Sequence, residues 1–192
     1  MPGDVPLSHE ILSLLLQGTD YGVLRSASKR DDNDYRAYVV SLQVKLLRIP
    51  VPDIPSKSIP IDFGTPLADV ADAELLRLAT LIYLGRTASS CGRDDGAQWI
   101  DKAFDILGQL DAYPRPFPLL ILGLEARTDE QRMVLFELIS KTEDGIPMRN
   151  MSFTRLMIQS IWVQDDLATR ALGYVDRLNV ILSSNETLPT FV

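Results

Sequence analysis

One cysteine, Cys91, and one histidine, His9, occur in 192 residues. A lone cysteine allows neither an internal disulfide nor a cysteine-built zinc centre. A lone histidine means that any Ser-His-Asp or Cys-His nucleophile would have to use His9. That residue stands beside Ser8 near the N-terminus, where fraying is expected, and no G-x-S-x-G elbow accompanies it. Cys91 follows Ser89 and Ser90, and Arg86 and Arg93 are offset by Asp94 and Asp95, so nothing marks it as a reactive thiolate. Glycine-rich phosphate loops are absent, and so are basic runs: Lys29-Arg30 is followed at once by Asp31 and Asp32. With a formal charge of −7 and a sequence pI near 4.7, the chain repels a phosphate backbone, and no nucleic-acid surface is expected. The N-terminal apolar run ILSLLL lacks a basic n-region and is far too short to span a bilayer. No membrane contact is expected, and the Asn-x-Ser/Thr triplets at Asn150 and Asn185 read as incidental. The expected compartment is intracellular.

What is present is the material of a core. Hydrophobic residues make up 46% and charged residues 23%, a balance that supports one globular domain over residues 1–192. Ser8 to Leu16 reads as a short apolar helix with Ser8 as a cap, and Gln17 to Asp34 as a polar, turn-rich stretch. From Asp34 to Leu47, Tyr35, Val39, Leu42 and Leu46 recur at helical spacing, with Asp32 or Asn33 to cap the start. Residues 49–66 hold five of the twelve prolines and predict an extended strap. Thr65-Pro66 then opens a helix over roughly 67–90 that is apolar nearly all round, hence central. Asp94 or Asp95 opens the next, with Ile100, Ala103, Phe104, Leu107 and Leu110 as its stripe, ended by Pro114, Pro116 and Pro118. Phe117 to Ala126 predicts a short apolar helix. A Thr128-x-x-Gln131 capping box starts another, with Val134, Leu135, Leu138 and Ile139 on its buried face. Asp144-Gly145-Ile146-Pro147 reads as a turn. The next helix carries Phe153, Leu156, Met157 and Ile161, and a last one covers about 166–182. No stretch alternates with period two. The expected fold is all-α, a single domain of antiparallel helical hairpins with a proline-rich strap.

Candidate functional residues are few. Asp31, Asp32 and Asp34 fit a helix cap better than a calcium loop, so no metal and no cofactor are expected, and no residue set reads as a catalytic centre. Tyr83, Trp99, Phe104, Trp162 and Tyr174 are large aromatics at helix-facing positions. They suit a core, or an apolar ligand pocket between helices. Glu125 ends the apolar run FPLLILGLE, where a helix C-terminus disfavours a carboxylate unless it is paired or bonded to free amides. Arg127, Arg132 or another cation, or the amides of the Thr128 helix, would satisfy it. Acid–base work by a buried carboxylate is the alternative reading of Glu125, but Glu125, Thr128 and Arg132 are assigned to a structural joint.

The stretch Phe117-Pro118-Leu-Leu-Ile-Leu-Gly123-Leu-Glu125-Ala126, followed by Arg127-Thr128-Asp-Glu-Gln-Arg132, resembles the W-P-L-F-I-A-G-C-E-A-x-T-x-x-x-R signature of the fungal-specific transcription factor domain. That domain is the regulatory region of Zn2Cys6 binuclear-cluster activators. Glu74 to Leu84 resembles the family's Ala-x-x-x-Tyr-Leu helix, Met148-Arg149-Asn150 its Arg/Gly-Asn turn, and Ile161-Trp162-Val-Gln-Asp165-Asp166 its Val-Trp-x-x-Asp. The likeness runs over 67–182; residues 1–66 share only a helical start and a proline-rich sequel. Phe117 replaces the family's Trp and Leu124 its Cys, both packing residues. The six-cysteine cluster has no counterpart. The resemblance implies a regulatory or partner-binding helical domain that does not itself bind DNA and is nuclear if the family role is kept, cytoplasmic otherwise. It would act on a protein partner, a second copy, or a small apolar metabolite. The alternative is a scaffold turned to small-molecule binding or to motif-poor cyclase or isomerase chemistry in fungal secondary metabolism.

Overall fold

A computed structural model describes residues 7–28, 32–54, 60–88, 96–145 and 149–167, together with 174 and 177. Among them run seven helices: α1 (Leu7–Ser28), α2 (Asp32–Arg48), α3 (Pro66–Ala88), α4 (Ala97–Leu107), α5 (Pro116–Glu125), α6 (Asp129–Gly145) and α7 (Arg149–Leu167). Residues 174 and 177 are helical as well. The fold is all-α, and among the described residues no helix is long and apolar enough to cross a membrane.

The organising element is α3, whose apolar residues point in every direction. Leu76, Leu81 and Leu84 pack against Ile11 and Leu14 of α1 and Tyr35, Val39, Leu42 and Leu46 of α2. Leu75, Leu78, Ala79 and Ile82 face the larger core, built with α4, α5, α6 and α7. A helix buried on all sides must be covered on all sides; the α1–α2 hairpin covers one half and the last four helices the other. Its start follows the local chemistry. The Thr65 hydroxyl accepts from the Ala68 amide at 3.3 Å, and Pro66 is the first helical residue, both ordinary devices for opening a helix.

The described residues of the strap ahead of Pro66 are not helical. Ile61 seats it on the end of α4: its amide donates to the Gln109 carbonyl at 2.7 Å and its carbonyl accepts from the Asp111 amide at 3.3 Å. Proline-rich chain cannot satisfy its own backbone, so it borrows these partners.

Several expectations need correction. The helix expected to stop at Leu16 continues to Ser28, and Ser8 lies inside it rather than capping it. Gly18, which looks like a breaker, is a contact: a Cβ there would meet Leu84 Cδ2 at 2.4 Å. The glycine lets α1 approach α3 closely, and the packing gained offsets its poor helix propensity. Tyr21 stacks between Tyr35 and Tyr38, with centroids 6.1 and 4.4 Å away, and these ring contacts fasten the extension to α2. Pro116 and Pro118 do not end α4; they open α5, where missing amides cost nothing. Leu156 is 62% exposed, and the buried side of α7 is Met151, Thr154, Met157, Ile158 and Ile161. Asp144 and Gly145 still belong to α6. Asp31, Cys91, Asp94, Asp95, Ile146 to Met148, Asn185 and most of 166–182 lie outside the described residues.

Candidate functional site

Two knots of charge are buried in this helical core. The first surrounds the C-terminal end of α5. Glu125 is 3% exposed, and the Arg86 guanidinium from the last turn of α3 grips both its oxygens, Nε to Oε1 and Nη2 to Oε2, each at 3.0 Å. Such a bidentate fork is among the strongest hydrogen-bonded pairs available to side chains. Two neighbouring carbonyls are also taken. The Trp162 indole donates to Gly123 at 3.0 Å, and Arg177 Nη2 donates to Leu124 at 2.9 Å and to Asp165 Oδ2 at 2.7 Å. Cations and N–H donors therefore meet the negative end of the α5 dipole.

The start of α6 closes the joint. Gln131 donates its amide to Thr128 Oγ1 at 3.2 Å, while its side-chain oxygen accepts from the Arg127 amide at 2.8 Å and the Thr128 amide at 3.4 Å. This reciprocal pairing is a capping box. Gln131, not Glu125, thus uses these amides. The cation on Glu125 is Arg86, distant in sequence, instead of Arg127 or Arg132. Arg132 pairs with Asp166 at 3.1 and 3.2 Å and lies 5.4 Å over the Trp162 ring, close enough for a cation–π attraction.

The Tyr174 hydroxyl is buried and has no hydrogen-bond partner among the described residues. Burial first, and the Glu125 charge second, push this phenol well above its ordinary value, since both disfavour a second negative charge. Burial likewise raises Tyr83.

The second knot is Glu74 on α3, 2% exposed. Arg77 forks it at 2.8 Å through Nε and Nη2, Lys102 of α4 reaches Oε1 at 2.8 Å, and Arg77 also donates to the Ile49 carbonyl at 3.2 Å. One carboxylate so ties α3 to α4 and to the start of the strap. Burial alone would raise the Glu74 pKa, but the hydrogen bonds and charges of Arg77 and Lys102 together bring it below the ordinary 4.5, because each favours the ionised form. A depressed folded pKa favours folding above the unfolded value, and that contribution is lost as pH falls through the folded value. Glu74→Gln should therefore flatten the loss of stability below about pH 4.5, read as urea midpoints of variant and wild type between about pH 3 and 6. Asp72, ion-paired with Arg115 at 2.6 Å, is raised by burial and works in the opposite sense. Only the difference between the two curves isolates Glu74; identical acid limbs would refute its role.

The five aromatics are spread over several places. Tyr83 and Tyr174 come together near Glu125 and Arg86, with Tyr83 edge-on to Phe117 at 6.1 Å. Phe104 belongs to the larger core and Trp162 to the joint. Trp99 touches both cores and borders an open groove of about 400 Å3 between α2, the last turn of α3 and the first turn of α4. The reading of the sequence gave no structural role to Arg86 or Arg177, did not pair Glu74 with Arg77, and quoted Asp165 only as part of a motif. Of these, Glu74 carried a local signal as a charge in the middle of an apolar run, and Asp165 as the last residue of the Val-Trp-x-x-Asp pattern.

Residues 5–179 match the fungal specific transcription factor domain. The match takes in α1, α2 and the strap, well ahead of the 67–182 region where the motifs stand. The protein described as transcription factor iacI of Pestalotiopsis fici is 35% identical over 197 residues, covering 100% of this chain and 48% of the relative. The chain thus spans about half the length of that curated relative. No solved structure matches.

Proposed function

The chain belongs to the fungal specific transcription factor domain family, and from that membership we propose that it is a regulatory helical module acting through protein partners and not by touching DNA. The observation that carries the reading is the extent of the match, residues 5–179, which includes both cores and both charged knots. The electrostatics support the second half. These 192 residues, with one cysteine, form no six-cysteine cluster, and a net charge of −7 opposes approach to a polyanion. The bidentate Glu125–Arg86 clamp and the Glu74–Arg77–Lys102 knot give such a module a fixed set of helix orientations to present. A nuclear location follows from the same reading.

Tethering the chain to a heterologous DNA-binding domain upstream of a reporter gene tests this. Transcription is expected to change severalfold, in either direction, while the untethered chain gives no salt-dependent shift of duplex DNA in a gel. A reporter that does not respond, or DNA retarded by the chain alone, would overturn the reading.

A further inference from the structure

The outward face of α2 repeats apolar residues at helical spacing. Tyr35, Val39, Leu42 and Leu46 are buried against α1 and α3, yet Val40, Val44 and Leu47 are 56%, 41% and 51% exposed. An exposed valine by itself is ordinary. Three apolar residues at i, i+4 and i+7 form a stripe, which is a different matter. This one runs into the groove bordered by Trp99, because Val40 lines both. Gly85 keeps the groove floor low: a Cβ there would stand 3.2 Å from Gln43 Nε2, whose side chain crosses to the Leu81 carbonyl. Stripe and groove together offer about three turns of helix, roughly 18 Å, with an aromatic wall at one end.

Charge narrows the occupant. After Asp32 and Asp34 in its first turn, α2 carries Arg36, Lys45 and Arg48 and no further acidic residue, in a chain of net −7. A basic, apolar strip on an acidic protein attracts an acidic, apolar partner and steers its approach. A second copy is disfavoured. Antiparallel two-fold pairing of α2 would bring Arg36 of one copy towards Arg48 of the other, and parallel pairing would set like beside like.

Building on the regulatory reading, we propose that the Val40–Val44–Leu47 stripe and the Trp99 groove dock an amphipathic helical segment of a partner protein, with apolar residues at i, i+4 and i+7 flanked by Asp and Glu. Helix-in-groove recognition of this kind needs an apolar seam for affinity and flanking charge for orientation.

The test uses the full chain and a labelled three-turn peptide with leucines at i, i+4 and i+7 and glutamates between them. A scrambled peptide of equal composition and one with every Glu replaced by Lys serve as comparisons. By fluorescence anisotropy the first should bind with an affinity that falls as salt rises, and the other two at least about tenfold more weakly. V44S combined with L47S should weaken binding about tenfold with an unchanged thermal midpoint, and R48E should weaken it and lower the salt dependence. V163E, at an exposed position on α7, should change nothing. Equal binding of the scrambled peptide, or an unaffected V44S/L47S variant, would overturn the proposal. So would a dimer in sedimentation that R48E strengthens, or binding of a small apolar metabolite, abolished by W99A, in the absence of any peptide affinity. The reporter separates the two levels of the argument. A tethered wild type that works and a V44S/L47S variant that works equally well refute the surface alone. A wild type that binds peptide but leaves the reporter silent refutes the regulatory role.

Discussion

Glu125→Ala should lower the free energy of unfolding by about 3 to 5 kcal/mol, seen as a lower urea midpoint at neutral pH. The alanine removes the two carboxylate oxygens that Arg86 grips, and a guanidinium whose side chain is only 15% exposed loses the Glu125 charge beside it. Removing the opposite charge from beside a largely buried cation sets the size of the effect. Glu125→Gln, which keeps the shape and one acceptor, should cost roughly half as much. The double variant Glu125→Leu/Arg86→Met should recover most of the loss, since apolar isosteres of a buried pair are often neutral. The competing account makes Glu125 a functional acid. It would be favoured if Glu125→Gln left the urea midpoint alone and abolished the reporter response.

Gly123→Val should cost about 3 kcal/mol by overpacking where α5 crosses α7. A Cβ at this position would meet Ile158 Cγ1 at 2.8 Å and its Cγ2 and Cδ1 at 3.2 Å. Ile158 is β-branched and stiff about its first torsion, so it cannot turn all three carbons away. The Gly123 carbonyl also receives the Trp162 indole, so pushing the helices apart would loosen a second contact. Ile158→Ala in the same chain should restore part of the loss, measured as a coupling in a double-mutant cycle. Strictly additive effects would show that α5 and α7 do not meet as described.

How far these two positions could be read in advance differs, and the difference is physical. Glu125 at the end of an apolar helix announces a need, since a carboxylate at the negative end of a helix dipole requires partners. The need is local, but its fulfilment by Arg86 is not, because nothing along the chain says which distant cation will lie across it. Gly123 and Gly18 are harder still. In sequence a glycine inside an apolar helix looks like a defect, and the polar, turn-rich stretch from Gln17, Gly18 among it, hid the continuation of α1. Only the approach of Leu84 and Ile158 shows that hydrogen is the side chain the contact allows. The aromatics pose a different difficulty. Five large rings at helix-facing positions suit a core or a pocket equally in sequence, and only the packing shows that Trp99, Phe104 and Trp162 have different neighbours.

By itself the sequence determined the class of structure and its punctuation. Helical periodicity, the proline-rich strap, the Thr65-Pro66 start and the Thr128–Gln131 box are all set by residues within a turn or two of one another, where backbone geometry dictates the spacing. It also determined the family, because the run from Phe117 to Arg132 holds packing and capping residues in a fixed order. Tertiary structure decided everything that joins distant segments: which half of α3 faces α1 and α2, that Arg86 clamps Glu125, that Glu74 collects Arg77 and Lys102, and that Val40, Val44 and Leu47 stay in water. Those outcomes rest on contacts between residues far apart along the chain, and chain-local patterns carry no record of which far residue will arrive.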